Sequence, residues 1–180
     1  MTAADSDSFP APNVPVADAP SAATLCAQLA EVLLREKLML ATAESCTGGL
    51  IAAACTDLSG SSAWFDRGFV SYSNHAKAEM LGVDAGLIER HGAVSEEVAR
   101  AMADGAVAHS RAQIAVAVTG VAGPTGGSRD KPVGTVWFGW NIQGQLYCGV
   151  RHFDGDRAAV RAATVRHALQ QLLQHLGRGS

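Results

Sequence analysis

The stretch Leu38-Met39-Leu40-Ala41-Thr42-Ala43-Glu44-Ser45-Cys46-Thr47-Gly48-Gly49-Leu50-Ile51 constrains the fold most. An apolar strand runs into a polar, glycine-bearing turn and then into a helix. Such a join belongs to an α/β protein, in which ligands bind at the carboxyl ends of strands. Ser45 stands at the join. A helix N-terminus offers unpaired N–H groups and a positive dipole end, which favour an anion or a developing oxyanion. Glycine allows close backbone approach. Ser45 is therefore a candidate nucleophile or anion contact; the simpler role for Ser45 or Thr47 is a helix cap.

The rest of the chain agrees with an α/β reading. Residues 1–20 hold four of the six prolines and read as a disordered extension, leaving 21–180 as one domain. Leu25, Leu29, Val32 and Leu33 recur at helical spacing behind a possible Ser21 cap. A strand is expected over 38–43, a helix over 49–58 and a strand over 64–72. Short helices follow over 74–81 and from Asp84 to about Arg90, then a helix opened by Ser95-Glu96-Glu97. The run Gln113–Thr119 is almost wholly apolar, as for a strand buried on both faces. Two strands, 133–141 and 145–153, flank a Gln143-Gly144 hairpin. A long helix over 156–176 carries the stripe Val165, Ala168, Leu169, Leu172, Leu173 and Leu176. This order predicts a three-layer α/β/α sandwich on a mixed, partly parallel sheet with an antiparallel edge.

Composition excludes several classes. A net charge of −3 with no basic run argues against a nucleic-acid surface. No apolar run reaches the roughly 18 residues of a membrane span. The N-terminus lacks a secretory pattern, so a cytoplasmic protein is expected. Cys26, Cys46, Cys55 and Cys148 have no CxxC spacing, and the six histidines do not cluster. No metal and no cofactor are expected.

Three groups carry potential chemistry. The glycine-rich loops Ser45–Gly49 and Thr119–Gly127 both follow strands, and neither is a P-loop because no GK[ST] follows. Tyr72 closes a strand, and Lys77 lies one turn into the next helix, where it would point back toward the strand end. A buried lysine can act as a base, and a tyrosine hydroxyl can relay a proton. Their plain alternatives are a solvated lysine and a core tyrosine. Arg157 sits at the start of the last helix, where the dipole opposes a cation, so a carboxylate or phosphate partner is one reading and a solvent-facing side chain the other. Lys131 is a weaker phosphate candidate. Glu44 either anchors a loop or contacts a ribose.

Taken together, Ala43-Glu44-Ser45-Cys46-Thr47-Gly48-Gly49, Tyr72-Ser73-Asn74 with Lys77, Leu81-Gly82-Val83, Gly92-Ala93-Val94-Ser95, Thr119-Gly120-Val121-Ala122-Gly123-Pro124 and Lys131-Pro132-Val133-Gly134-Thr135-Val136 resemble the CinA C-terminal domain family over roughly residues 22–176. The resemblance implies hydrolysis of nicotinamide mononucleotide to nicotinate mononucleotide and ammonia. It implies Ser45 as nucleophile and Lys77 as base, acting directly or through Tyr72. It also implies an oxyanion held by backbone N–H groups around Thr47, Gly48 and Gly49. Glu44, Thr119, Gly120 and Gly123, with Arg157 or else Arg161, would bind the nucleotide. A homo-oligomer is expected. A catalytically silent nucleotide-binding domain and a competence-linked interaction domain are the competing readings.

Overall fold

The computed structural model describes residues 19–177. The expected disordered extension over 1–20 therefore lies, except for its last two residues, outside the described residues. The elements are α1 (Ala22–Glu36), β1 (Leu40–Glu44), α2 (Leu50–Thr56), β2 (Phe65–Val70), α3 (Asn74–Leu81), α4 (Ala85–His91), α5 (Glu96–Ala108), β3 (Ile114–Gly120), β4 (Thr135–Ile142), β5 (Gln145–His152) and α6 (Arg157–Gly177), with one 3₁₀ turn at Ser61–Ala63. The expected order holds throughout, and the boundaries move by a few residues. Gly49 was expected to open α2, but its φ of +102° is not helical, so α2 starts one residue later.

Local chemistry explains the helix starts. Ser21, Ser73, Asp84 and Ser95 each accept a backbone N–H from the first turn of α1, α3, α4 and α5. Asp156 does the same for α6 through Ala159 N. Gln143 and Gly144 both have positive φ, as a two-residue hairpin between β4 and β5 requires.

The sheet runs β2-β1-β3-β4-β5. β2, β1 and β3 are parallel, and β4 and β5 are antiparallel additions, as the sequence pattern predicts. Alternation along β3 shows how the two faces differ. Ile114, Val116 and Val118 enter the core shared with α1, α2 and α6, whereas Ala115 and Ala117 face the core shared with α3, α4 and α5. Small residues on the second face let α5 lie close. At Gly139 of β4 an added Cβ would stand 2.4 Å from the Ala99 carbonyl oxygen of α5. On the opposite face Phe138 stacks on Trp140 and meets the His167 ring edge-on at a centroid distance of 4.7 Å, which fixes α6 to the sheet.

Gly139→Ala should force α5 off the sheet, at a cost of about 1–3 kcal/mol. The thermal midpoint should drop by roughly 2–10 °C, and an unchanged midpoint would refute close packing at this point. His167 supplies a pH test. Burial pushes its pKa from 6.5 down to about 4, with Arg151 adding to the effect. The unfolded chain thus binds a proton that the folded chain refuses between those values. Stability is full above pH 6.5 and falls as the pH drops toward 4, by around 3 kcal/mol at most. Denaturation of a His167→Phe variant across this range should show a shallower acid loss.

Candidate active site

The parallel register places three strand ends side by side. Glu44 of β1 is opposite Val70 of β2 and Val118 of β3, so Ser45, Ser71 and Thr119 all emerge at one carboxyl edge. Ser45 N donates to Val118 O and extends the ladder by one residue. Gly48 N then donates back to Ser45 O and closes a tight turn, with Gly48 at φ +59°.

Lys77 reaches this edge from α3. It is 1% exposed, and its Nζ donates to Ser71 O at 3.1 Å, to Tyr72 O at 3.1 Å and to Ser45 Oγ at 3.0 Å. All three partners are uncharged. Burial holds the Lys77 pKa below its ordinary 10.5. A neutral amine has two N–H bonds and one lone pair. Donating to the two carbonyls leaves the lone pair for the Ser45 hydroxyl. The Ser45 hydroxyl lies 3.4 Å from Tyr72 O, its other acceptor.

The Tyr72 phenol does not join this group. The residue is 57% exposed, and its hydroxyl accepts from Arg157 Nη2 at 3.1 Å. Tyr72 serves Ser45 and Lys77 through its backbone carbonyl, so a relay through the phenol is absent from this geometry. The reason is the strand end: Tyr72 O turns toward the lysine while the ring leaves on the outer side.

Glu44 is fully buried and faces inward, not toward a ribose. Its Oε2 accepts from Thr47 Oγ1 at 2.6 Å, Gly49 N at 3.1 Å and Ile51 N at 3.0 Å, and its Oε1 accepts from Ala52 N at 2.8 Å. The N-terminus of α2 is thereby already occupied by a carboxylate. This corrects the expected oxyanion donors. Gly49 N is spent on Glu44 and Gly48 N on Ser45 O, leaving the amides of Cys46 and Thr47 without another residue as partner among the described residues.

The remaining expected residues divide. Ser45, Cys46, Tyr72, Asn74, Lys77, Thr119, Gly120 and Arg157 line a cavity of about 200 Å³, together with Ala93, Val94 and Ala122. The Thr119 hydroxyl donates to Ala93 O at 2.8 Å, tying the α4–α5 loop to the cavity wall. Gly123 is not in the wall; its carbonyl accepts from Arg157 Nη1 at 2.9 Å. Arg157 and Ala122 also border a larger outer cavity of about 660 Å³, shared with Pro124, Val133, Asp156 and Arg161. Lys131 is turned away onto His91 O. Cys46 is held as a thiol, with burial raising its pKa to about 11. Asn74 escaped the sequence reading as a wall residue, although it lies three positions before Lys77 on one helix face. Ala93 and Val94 carry no signal of their own.

Fold and cavity define a class: an α/β/α protein whose cavity opens where parallel strands end, with a serine hydroxyl against a buried lysine. The family model for the CinA C-terminal domain matches residues 22–176, and the chain belongs to that family. It is 55% identical over 151 residues to the nicotinamide-nucleotide amidohydrolase PncC of Pseudomonas putida, covering 84% of this chain and 94% of that protein. It is 50% identical over 151 residues to the protein of the same name from Escherichia coli K12, covering 83% and 92%. A crystal structure of a competence-damaged protein (CinA) superfamily protein from Escherichia coli superposes with a TM-score of 0.86 at 44% identity, covering 90% of this chain and 94% of that one.

Glu44→Gln places an NH₂ group where one carboxylate oxygen now accepts backbone N–H groups. It should cost roughly 1–3 kcal/mol and speed amide exchange at Gly49, Ile51 and Ala52. Unaltered exchange at these three amides would contradict the anchoring role.

Proposed function

We propose that this protein hydrolyses the carboxamide of nicotinamide mononucleotide, releasing ammonia and nicotinate mononucleotide, with Ser45 as nucleophile and Lys77 as base. The observation that carries this reading is the 3.0 Å contact between Lys77 Nζ and Ser45 Oγ, made where no carboxylate among the described residues pairs with the lysine. The names borne by the relatives from Pseudomonas putida and Escherichia coli supply the substrate.

In this mechanism the neutral Lys77 amine takes the Ser45 proton as Oγ attacks the carboxamide carbon. The amide of Cys46, a residue of the cavity wall, receives the developing oxyanion, in place of the helix end that Glu44 occupies. Lys77, now an ammonium, returns its proton to the departing nitrogen. Water, deprotonated by the same amine, then cleaves the acyl-enzyme. The inner cavity receives the carboxamide end. Its 200 Å³ is below the roughly 300–1,000 Å³ of small-molecule sites, and the two cavities together lie within that range. Ribose and phosphate therefore extend into the outer cavity, past Arg157, whose guanidinium exchanges its bonds to Tyr72 and Gly123 for the phosphate.

Ser45→Ala should abolish ammonia release while the fold persists, and a fully active Ser45→Ala variant would end the nucleophile assignment. Lys77→Arg should lower kcat/KM by about 10²-fold or more, since a guanidinium does not deprotonate. For the wild type, kcat/KM should rise with pH along a limb whose midpoint lies below 10.5, because only deprotonated Lys77 is competent. A flat profile over that limb argues against Lys77 as base. Mononucleotide binding without ammonia release would instead favour a nucleotide-binding domain.

A further inference from the structure

Most hydrogen-bonding groups around the inner cavity are committed. Of the wall carbonyls, Tyr72 O accepts from Lys77 Nζ, Ala93 O from the Thr119 hydroxyl and Cys46 O from Arg161 Nε at 3.1 Å. Ser45 Oγ is bound to Lys77, and the Tyr72 phenol to Arg157. Asn74 differs. It belongs to the same wall, and its side-chain amide makes no hydrogen bond with any described residue. Two N–H donors and one carbonyl acceptor are therefore free there.

The place of Asn74 on α3 sets it beside the reacting groups. It is the first residue of the helix behind the Ser73 cap, and Lys77 follows three positions later, so the two share a helix face. Side chains on a helix lean toward its N-terminus. Lys77 does so: its Nζ reaches back past the helix start to Ser71 O and Tyr72 O. The amine that meets Ser45 thus lies at the level of the turn that Asn74 opens. Unlike Arg157, which borders both cavities, Asn74 borders only the inner one.

A primary carboxamide brings one carbonyl and one NH₂ group into such a cavity. In the mechanism above, the carbonyl oxygen goes to the Cys46 amide. The NH₂ group is a donor and needs an acceptor. Lys77 does not supply one: the lone pair of its neutral amine is directed to the Ser45 hydroxyl, and the ammonium has none.

We infer that Asn74 selects a primary carboxamide: its Oδ1 accepts a carboxamide N–H and holds the leaving nitrogen on the side of Lys77. The inference deepens the amide hydrolysis proposed above and rests on it. The bond forms only with a substrate that carries an N–H on the reacting carbonyl. An ester of the same acid leaves the acceptor unmet, and a site built to bond an N–H discriminates against an analogue that lacks it.

The experiment compares two substrates that give the same acyl-enzyme, nicotinamide mononucleotide and the methyl ester of nicotinate mononucleotide. Formation of nicotinate mononucleotide from each gives kcat/KM, which reports acylation, for wild type, Asn74→Ala and Asn74→Asp. The amide-to-ester ratio cancels any change in Lys77 or in nucleotide binding that both substrates share. Asn74→Ala should lower this ratio by about 10-fold or more, the loss falling on the amide. Asn74→Asp keeps an acceptor oxygen, so its ratio should stay within about 3-fold of wild type. Its carboxylate beside Lys77 should also move the rising limb of the pH profile upward for both substrates. An unchanged ratio in Asn74→Ala, whether through equal losses or none, overturns the inference, as does a ratio in Asn74→Asp as low as that in Asn74→Ala. If wild type rejects the ester outright, Asn74→Ala should begin to accept it, and continued rejection overturns the inference too. In each of these cases ammonia release by wild type leaves the amide hydrolysis standing. Wild type that releases no ammonia from the mononucleotide, with or without ester hydrolysis, overturns both.

Discussion

The buried carboxylate of Glu44 is the constraint on which the site depends. It ends β1, and its two oxygens take one hydroxyl and three backbone N–H groups from the residues that follow. One side chain thus sets the direction in which the chain leaves the strand, the start of α2 and the placement of Ser45 between them. An isolated helix start would expose several unpaired N–H groups to any anion. Here those groups are spent internally, and the turn is rigid before a ligand arrives. Pre-organisation of this kind is what oxyanion stabilisation needs, because donors already in place require no rearrangement during reaction.

Burial has different consequences for the charged groups around this turn. Glu44 and Arg161 are matched to complementary backbone groups, donors for the acid and carbonyls for the guanidinium. Lys77 receives carbonyls and a hydroxyl but no acid, so desolvation dominates and favours its neutral form. The same low-dielectric surroundings that steady the first two prepare the third to accept a proton. Packing on the α5 face contributes to this. Small residues in β1, β3 and β4 bring α5 onto the sheet, and α3 and α4 pack beside it, which seats Lys77 of α3 deep under the strand ends.

The element order, the mixed sheet and the convergence of Ser45 and Lys77 were legible because each rests on local pattern. Periodicity marks the helices, an apolar run marks β3, and one helical turn from Tyr72 to Lys77 points the lysine back to the strand end. The allocation of hydrogen bonds was not legible. Whether Glu44 faces a ligand or the loop depends on which N–H groups lie within reach after the turn has formed. Tyr72 shows the same limit: its residue type suggests a phenol at work, while the backbone carbonyl makes the contacts. Arg161 is the extreme case, since 115 residues separate it from Cys46 and only the docking of α6 brings them together.

That docking is decided far from Ser45. Val160, Thr164, Val165, Ala168, Leu169 and Leu172 are buried along one side of α6, against α1 and the sheet. Trp140 Nε1 donates to Ala168 O, and the His167 ring lies edge-on to Phe138. Arg157 and Arg161 are four residues apart, so they project from neighbouring positions on one helix face. Their reach toward Tyr72 and Cys46 is therefore set by the same packing that seats the helix. A shift of α6 along its axis would move both guanidiniums together. The aromatic cluster at the other end of β4 thus belongs to the architecture of the site, because it fixes the position of the helix that carries both arginines.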